Sequence, residues 1–273
     1  MSVEVRRSHL SEPGQEKDFA DRLIRLSTRI DCRRADTSEE REAIFRLRYE
    51  AYAREGAISP NASGKFSDPY DYTDNAHLFG LYINGELASS LRLHVASREI
   101  SDFPSREVFP DVLQPLLDAG NILIDSTRFV ADERLSRIHR GLPYVTLRPC
   151  MLAAEYFRAD HCLAAVRAEH QGFYRRAFNH QVICESRPYP QLAKPISLMT
   201  LHFPSASAGL YQRYPFFHSS DFERRQLFER QERAAPSDHE QANVKEQTKG
   251  LQRPFVKFDA PSPITWFAPY HQS

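Results

Sequence analysis

The chain has 273 residues, 41% of them hydrophobic and 26% charged, which suits a globular protein built as one large domain with an extension or as two small domains. Lysine plus arginine equals aspartate plus glutamate at 36 each, so no overall field points to nucleic acid. No apolar run approaches the roughly 20 residues of a membrane span, and the polar opening MSVEVRRSHLSEPGQEKDF carries no signal region, which predicts a cytoplasmic protein. Cys32, Cys150, Cys162 and Cys184 form no CxxC pair and read as reduced thiols. The 11 histidines make no HExxH and no zinc-spaced cluster, and Gly64-Lys65 lacks the rest of a phosphate loop. No metal or nucleotide motif is left.

Residues 1–29 read as a leader with one short helix around KDFADRLIRLS, and DCRRADT as a first strand. Thr37 with Glu40 is a capping-box pattern that opens a helix to about Glu55. HLFGLYI and ELASSLRLHV are two strands joined by Asn84-Gly85, a hairpin signal because both turn positions tolerate positive φ. FPSREVFPDVLQPLLDAG is partly helical, NILIDSTRFVA is the next strand, and LPYVTLRPCMLAAEYFRAD is a helix interrupted or kinked at Pro149. HCLAAVRAEH is a strand followed by a short helix, GFYRRAFN, and QVICESR and ISLMTLHF supply two more strands. This order predicts an α/β fold, a mixed central sheet with helices on both faces over residues 30–204. Residues 205–273 form a charged C-terminal extension that starts as a helix and ends as a flexible stretch. Its last segment, PFVKFDAPSPITWFAPYHQS, holds the chain's one tryptophan, Trp266, and is expected to dock back on the body.

Charges fall where apolar residues belong. In EREAIFRLRYEAYARE, Ile44, Phe45, Leu47, Tyr49, Ala51 and Tyr52 form one stripe at about 100° per residue, and Arg48 projects into it. Such an arginine either snorkels to the edge or meets a carboxylate inside. Alternation puts Ser90, Arg92 and His94 on the strand face opposite Leu91, Leu93 and Val95, a face that can simply be wet. Asp68, Asp71 and Asp74 crowd KFSDPYDYTDN, where aspartate also serves turns. In LIDSTRF an acid, Asp125, and a base, Arg128, sit inside an apolar strand, where either charge needs a partner. Together Arg48, Arg92 and Arg128 can balance Asp68, Asp71 and Asp125 in a network that holds a polar cavity open.

In this order FRLRYEAYAREG, FSDPYD, SLRL and DSTRF resemble the acyl-homoserine lactone synthases and, more closely, the long-chain N-acyl amino acid synthases, both of the GNAT acyltransferase superfamily. Arg48 fills the place of the first-helix arginine and Asp68-Pro69-Tyr70-Asp71 that of the acidic element after it. Arg92-Leu93 matches the pair closing the third strand. Asp125-Ser126-Thr127-Arg128-Phe129 matches E-x-S-R-F on the fourth, with Asp for Glu and Thr for Ser. LAAVRAEHQGFYRRAFN is similar to the fifth strand and following helix, so the likeness covers residues 30–203. The lactone synthases' tryptophan after the first helix is missing. Of the pyrophosphate loop, RLSRIHRGLPYV keeps only Arg137, Arg140 and Gly141, which fits a donor on acyl carrier protein better than coenzyme A.

The resemblance implies a GNAT-like sheet and an N-acyltransferase that moves a long-chain acyl group from an acyl carrier protein (or coenzyme A) thioester to the amine of an amino acid, with no tightly bound cofactor. Asp125 would deprotonate the amine. Arg128, with Arg48, would bind the acceptor's carboxylate in bidentate fashion, with Phe129 beside it. Asp68, Asp71 and Arg92 would shape the network. Tyr174 would protonate the leaving thiolate, or serve packing alone. Arg134, Arg137, Arg140 and Arg148 would meet the acidic face of the carrier, or form an ordinary solvated loop. An acyl-homoserine lactone synthase using S-adenosylmethionine, and a non-catalytic acyl-thioester-binding module, are the alternatives. Strand geometry adds a condition: Asp125 and Arg128, three apart, share one site only if a bulge lies between them.

Overall fold

The structure, a computed structural model, describes residues 13–189 and 194–229. It begins with α1 (Pro13–Ser27), β1 (Ile30–Arg34) and α2 (Ser38–Arg54). A 3-10 turn at Pro69–Tyr72 leads to β2 (Ala76–Ile83) and β3 (Glu86–Ala96). Then come α3 (Pro104–Val108), α4 (Pro110–Asp118) and β4 (Leu123–Ala131). Three helices follow, α5 (Glu133–Ile138), α6 (Leu142–Thr146) and α7 (Arg148–Tyr156), before β5 (His161–Val166) and α8 (Ala168–Phe178). The described chain closes with β6 (Gln181–Arg187), β7 (Ile196–His202), α9 (Phe203–Arg213), a 3-10 turn at Pro215–Phe217 and α10 (Asp221–Phe228).

The seven strands form one sheet in the order β1-β2-β3-β4-β5-β7-β6. Every neighbouring pair is antiparallel except β4 and β5, which run parallel. The predicted mixed sheet is therefore present, and its local signals act as expected. The Thr37 hydroxyl accepts from the Glu40 amide at 3.2 Å while the Thr37 amide donates to Glu40 Oε2 at 3.0 Å, closing the capping box. Asn84 (φ 52°) and Gly85 (φ 83°) both take positive φ and turn β2 into β3.

Two readings change. The helix expected across Pro149 is two helices, α6 and α7, with Pro149 in the first turn of α7, where its missing N–H costs no helix bond. The stretch after β4 folds as α5, capped by Asp132, whose carboxylate accepts from the Leu135 amide at 2.8 Å.

One face of the sheet carries α2 and, further along, α3 and α4. The other carries the larger apolar core, in which Leu23 and Leu26 of α1 meet Leu91, Leu93, Val145, Leu152, Phe173 and Phe178. The residues after β7 join that core. Phe228 lies against the rings of His77, Phe79, Tyr156 and Phe157, and Phe217 is fully buried. Burial of each phenylalanine contributes about 2 kcal/mol. Arg148 fastens this segment: its Nε donates to the Phe216 carbonyl at 2.6 Å, its Nη2 to the His218 carbonyl at 2.8 Å, and its guanidinium pairs with Glu223. Arg148 is thus committed to the C-terminal helices, a correction to its place in an exposed basic loop. The helix expected in DFERRQLF is α10, whereas the stretch expected to be flexible beyond it and the tail bearing Trp266 lie outside the described residues. Among the described residues no helix is long and apolar enough to cross a membrane.

Candidate active site

Asp68 caps the 3-10 turn after α2: its Oδ1 accepts from the Tyr70 amide at 3.0 Å, and Asp71 Oδ2 accepts from the Asp68 amide at 2.9 Å. The turn presents both carboxylates to the sheet. Arg48 Nη1 donates to Asp71 Oδ1 at 2.7 Å, and Arg92 Nη1 donates to Asp71 Oδ1 at 2.9 Å and to Asp68 Oδ1 at 2.5 Å. Arg128 Nε and Nη2 donate to Asp68 Oδ2 at 2.9 and 2.6 Å. Arg48 therefore meets a carboxylate inside rather than snorkelling. The strand face of Ser90, Arg92 and His94 is buried, not wet.

Arg128 reaches this network because β4 bulges. Thr127 pairs with Arg92 and Val130 with Ser90, so Arg128 and Phe129 together oppose Leu91. Arg128 takes a left-handed φ of 54°, a strained conformation for a side chain of its size. The bulge turns the guanidinium to the Arg92 side, where Thr127 Oγ1 accepts from Arg92 Nε at 3.1 Å. Phe66, Tyr52 and Tyr189 enclose it, with ring centroids 4.9, 5.9 and 6.0 Å from its Cζ. The condition set by strand geometry is met.

Three guanidinia against two carboxylates leave this chain of charges at +1. Burial pushes the Asp68 carboxyl up, but Arg128 and Arg92 more than offset this and hold it well below the usual carboxylate range. Burial opposes ionisation of Asp71 too, and Arg48 and Arg92 overcome it. Nε and Nη2 of Arg48 and Nη2 of Arg92 have no hydrogen-bond partner among the described residues.

Asp125 stands apart from this chain. Its Oδ1 accepts from the Ser105 hydroxyl at 2.7 Å and its Oδ2 from the Ser105 amide at 3.1 Å, at the start of α3. The expected six-membered alternation is thus five members plus a separate carboxyl. Burial pushes Asp125 up to about 6, against the pull of Ser105's two donors and of Arg92. His94, its partner across β3 and β4, is driven down to about 3 by burial and by Arg92, so it stays neutral. Asp74 is exposed and outside the network.

The parallel pairing of β4 with β5 stops at Ser126 and Ala164, although β4 continues to Ala131 and β5 to Val166. Beyond that point the strands part and leave backbone groups free of the ladder. The end of α2 ties the two exits together: Glu55 pairs with Arg167 after β5 at 3.1 Å, and Arg54 with Glu133 after β4 at 3.7 Å.

Other expected residues are dispersed. Phe129 turns to the opposite face and packs against the larger core. Tyr174 is on that face too, buried against Phe173, Phe178 and His180, and burial raises its phenol well above the ordinary range. Arg137 lines a shallow concavity of about 510 Å³ with Arg54, Asp132, Glu133, Arg134 and Ile138. Arg140 is exposed and outside that lining. Gly141 faces α1: a Cβ there would lie 2.6 Å from Leu23 Cδ2 and 3.2 Å from Leu26 Cδ2. Gly141→Ala should therefore cost about 1–3 kcal/mol in a thermal melt with the Michaelis constant for the acyl donor unchanged. A raised donor constant at unchanged stability would restore the donor-binding role.

Sequence reasoning missed Ser105, Thr127 and Tyr189. Thr127 was open to discovery, since alternation puts it on the Asp125 side of the strand. Nothing in PSREV or SRPYP marks the other two.

A mixed sheet with helices on both faces, whose fourth and fifth strands run parallel and then part, is the GNAT acyltransferase fold. The N-acyl amino acid synthase FeeM from uncultured soil microbes is similar in structure, with a TM-score of 0.56 at 17% identity over 66% of this chain and 94% of that one. An acyl-CoA N-acyltransferase from Pseudomonas aeruginosa gives 0.43 at 22% identity over 63% and 97%, and the AHL synthase LasI 0.46 at 11% over 67% and 94%. No curated protein matches. Residues 43–202, more than half of the chain, match the family model described as N-acyl amino acid synthase FeeM. The chain belongs to that family and is an acyltransferase that transfers an acyl group to an amine.

Proposed function

We propose that the enzyme moves a long-chain acyl group from the thioester of an acyl carrier protein to the amine of an amino acid. The observation that carries this reading is Arg128, a strained, aromatic-enclosed guanidinium that is 7% exposed while Arg48 and Arg92 behind it are at 0%. It is the cation of the network nearest to solvent, on the same side of the sheet as a carboxyl poised at about 6. An anionic group on the acceptor suits the first and a proton leaving its amine suits the second.

In the proposed reaction the amine nitrogen attacks the thioester carbonyl where β4 and β5 part. Freed amides of β4 stabilise the oxyanion. The C–N bond forms, the C–S bond breaks, and Asp125 takes the amine's proton directly or through water. Tyr174, kept protonated by burial, is the candidate for returning a proton to the thiolate from the other side of the sheet.

Mass spectrometry of lipid extracts from cells expressing the native chain, with Arg128→Ala as control, tests the reading. N-acyl amino acids present only with the native chain are the expected result, and they name acceptor and chain length together. Acyl-homoserine lactones instead would overturn it in favour of the S-adenosylmethionine-dependent reaction.

The carrier as donor is supported by Arg134 and Arg137, exposed on the concavity at the exit of β4 with Glu86 and Glu133 as their partners. Its Michaelis constant should rise with salt between 50 and about 300 mM, and Arg134→Ala with Arg137→Ala should flatten that dependence. Indifference to salt, or better turnover with acyl coenzyme A, would rule the carrier out.

A further inference from the structure

Tyr189 follows the edge strand β6, yet it reaches back across the sheet to β4. It lies in the apolar cluster that holds Leu163, the β5 partner of Asp125, and Phe103, which precedes the helix whose Ser105 binds Asp125. Its ring centroid is 6.0 Å from the Arg128 Cζ. The side chain therefore lies beside the outermost guanidinium of the network, in the same cluster as residues that flank the separate carboxyl.

Two features set it apart from a packing tyrosine. Its ring is buried and the residue is 7% exposed, and its hydroxyl, which makes no hydrogen bond among the described residues, is not one of the fully buried polar atoms and so keeps access to solvent. The neighbouring guanidinium, meanwhile, already gives both Nε and Nη2 to Asp68, so that edge of Arg128 is spent inside the protein. The two-pronged clamp expected from sequence is made with Asp68.

We infer that the Tyr189 hydroxyl is an acceptor-binding group, donating a hydrogen bond to the carboxylate of the amino acid beside Arg128 and so turning its amine toward Asp125. This rests on the reading of the acceptor as an amino acid. A neutral donor is suited to this place, since it adds a directed contact without a further buried charge to a network already at +1. Burial raises the phenol to about 12, against the pull of Arg128, so the proton to be donated is present throughout the working range.

Tyr189→Phe removes the hydroxyl and keeps the ring on Arg128. The Michaelis constant for the amino acid that the native enzyme acylates should rise roughly tenfold, the loss of one hydrogen bond to a charged group, with kcat within about twofold and the donor constant unchanged. With the amine made by removing that amino acid's carboxylate, native enzyme and variant should behave alike. An unchanged constant for the amino acid would overturn the inference while native turnover leaves the amino-acid reading standing. An equal rise for the decarboxylated amine would overturn it too, because the hydroxyl would then act without the carboxylate. Failure of the native enzyme to acylate any amino acid would remove the reading and the inference together.

Discussion

Asp68→Ala should cost about 3–5 kcal/mol of folding stability. Asp68 bridges two guanidinia, Arg92 through Oδ1 and Arg128 through Oδ2. Alanine leaves both buried with only Asp71 to answer three positive charges, raising the excess from one to two. It also removes the acceptor for the Tyr70 amide, which shapes the turn that carries Asp71. Urea denaturation at pH 7 measures the loss. A drop below about 1 kcal/mol would mean that water reaches the guanidinia and that the network is not dry. The pH dependence gives a second check. The folded-state pKa of Asp68 is depressed, so its contribution is present above the unfolded value of about 3.9 and is lost as pH falls below it. The gap between native protein and variant should therefore shrink in acid.

Much of this network could be read from the chain itself, because each charge breaks a periodicity. Arg48 interrupts a helical stripe, Arg92 shares a strand face with residues that need not have been wet, and Asp68 with Asp71 fits a capping turn. Which charge meets which was not legible. Asp125 and Arg128 are three apart in one strand, yet neither touches the other. Arg128 pairs with Asp68, 60 residues upstream, and Asp125 with Ser105, 20 residues upstream. The bulge decides this, and a bulge depends on the register of two strands rather than on the composition of either. A left-handed arginine has no sequence signal comparable to the Asn-Gly of the hairpin.

The same limit applies to Ser105 and Tyr189, whose roles come from what the tertiary fold sets opposite them. Gly141 shows the converse. It was read as the remnant of a phosphate loop, and its missing side chain is accounted for by the close approach of Leu23. Arg148, grouped by sequence with exposed arginines, is taken up by carbonyls and a carboxylate about seventy residues downstream. Short-range patterns located the elements and the anomalous charges. Pairing across long separations assigned their partners.

Asp125→Asn should lower kcat/KM roughly 100- to 10,000-fold, the range for loss of a general base, while leaving the fold intact. Asparagine fits the same hydrogen bonds: its Oδ1 can accept from the Ser105 amide and its Nδ2 can donate to the Ser105 hydroxyl, which reverses its role. The native kcat/KM should climb through about pH 6 as Asp125 loses its proton, with a separate rise above it from the acceptor's own ammonium. The variant should lack the lower step. Stability should move the other way. The folded-state pKa lies above the unfolded value of about 3.9, so the favourable contribution is complete below pH 4 and is lost as pH rises through about 6. At pH 8 the native protein therefore carries a buried carboxylate at a cost of up to about 3 kcal/mol, and Asp125→Asn should be at least as stable as native there, with the difference fading toward pH 4. A variant that kept full turnover and the step near pH 6 would remove Asp125 from the chemistry and leave it a structural partner of Ser105. A variant that lost turnover without gaining stability at pH 8 would mean that solvent reaches the carboxylate in the resting enzyme.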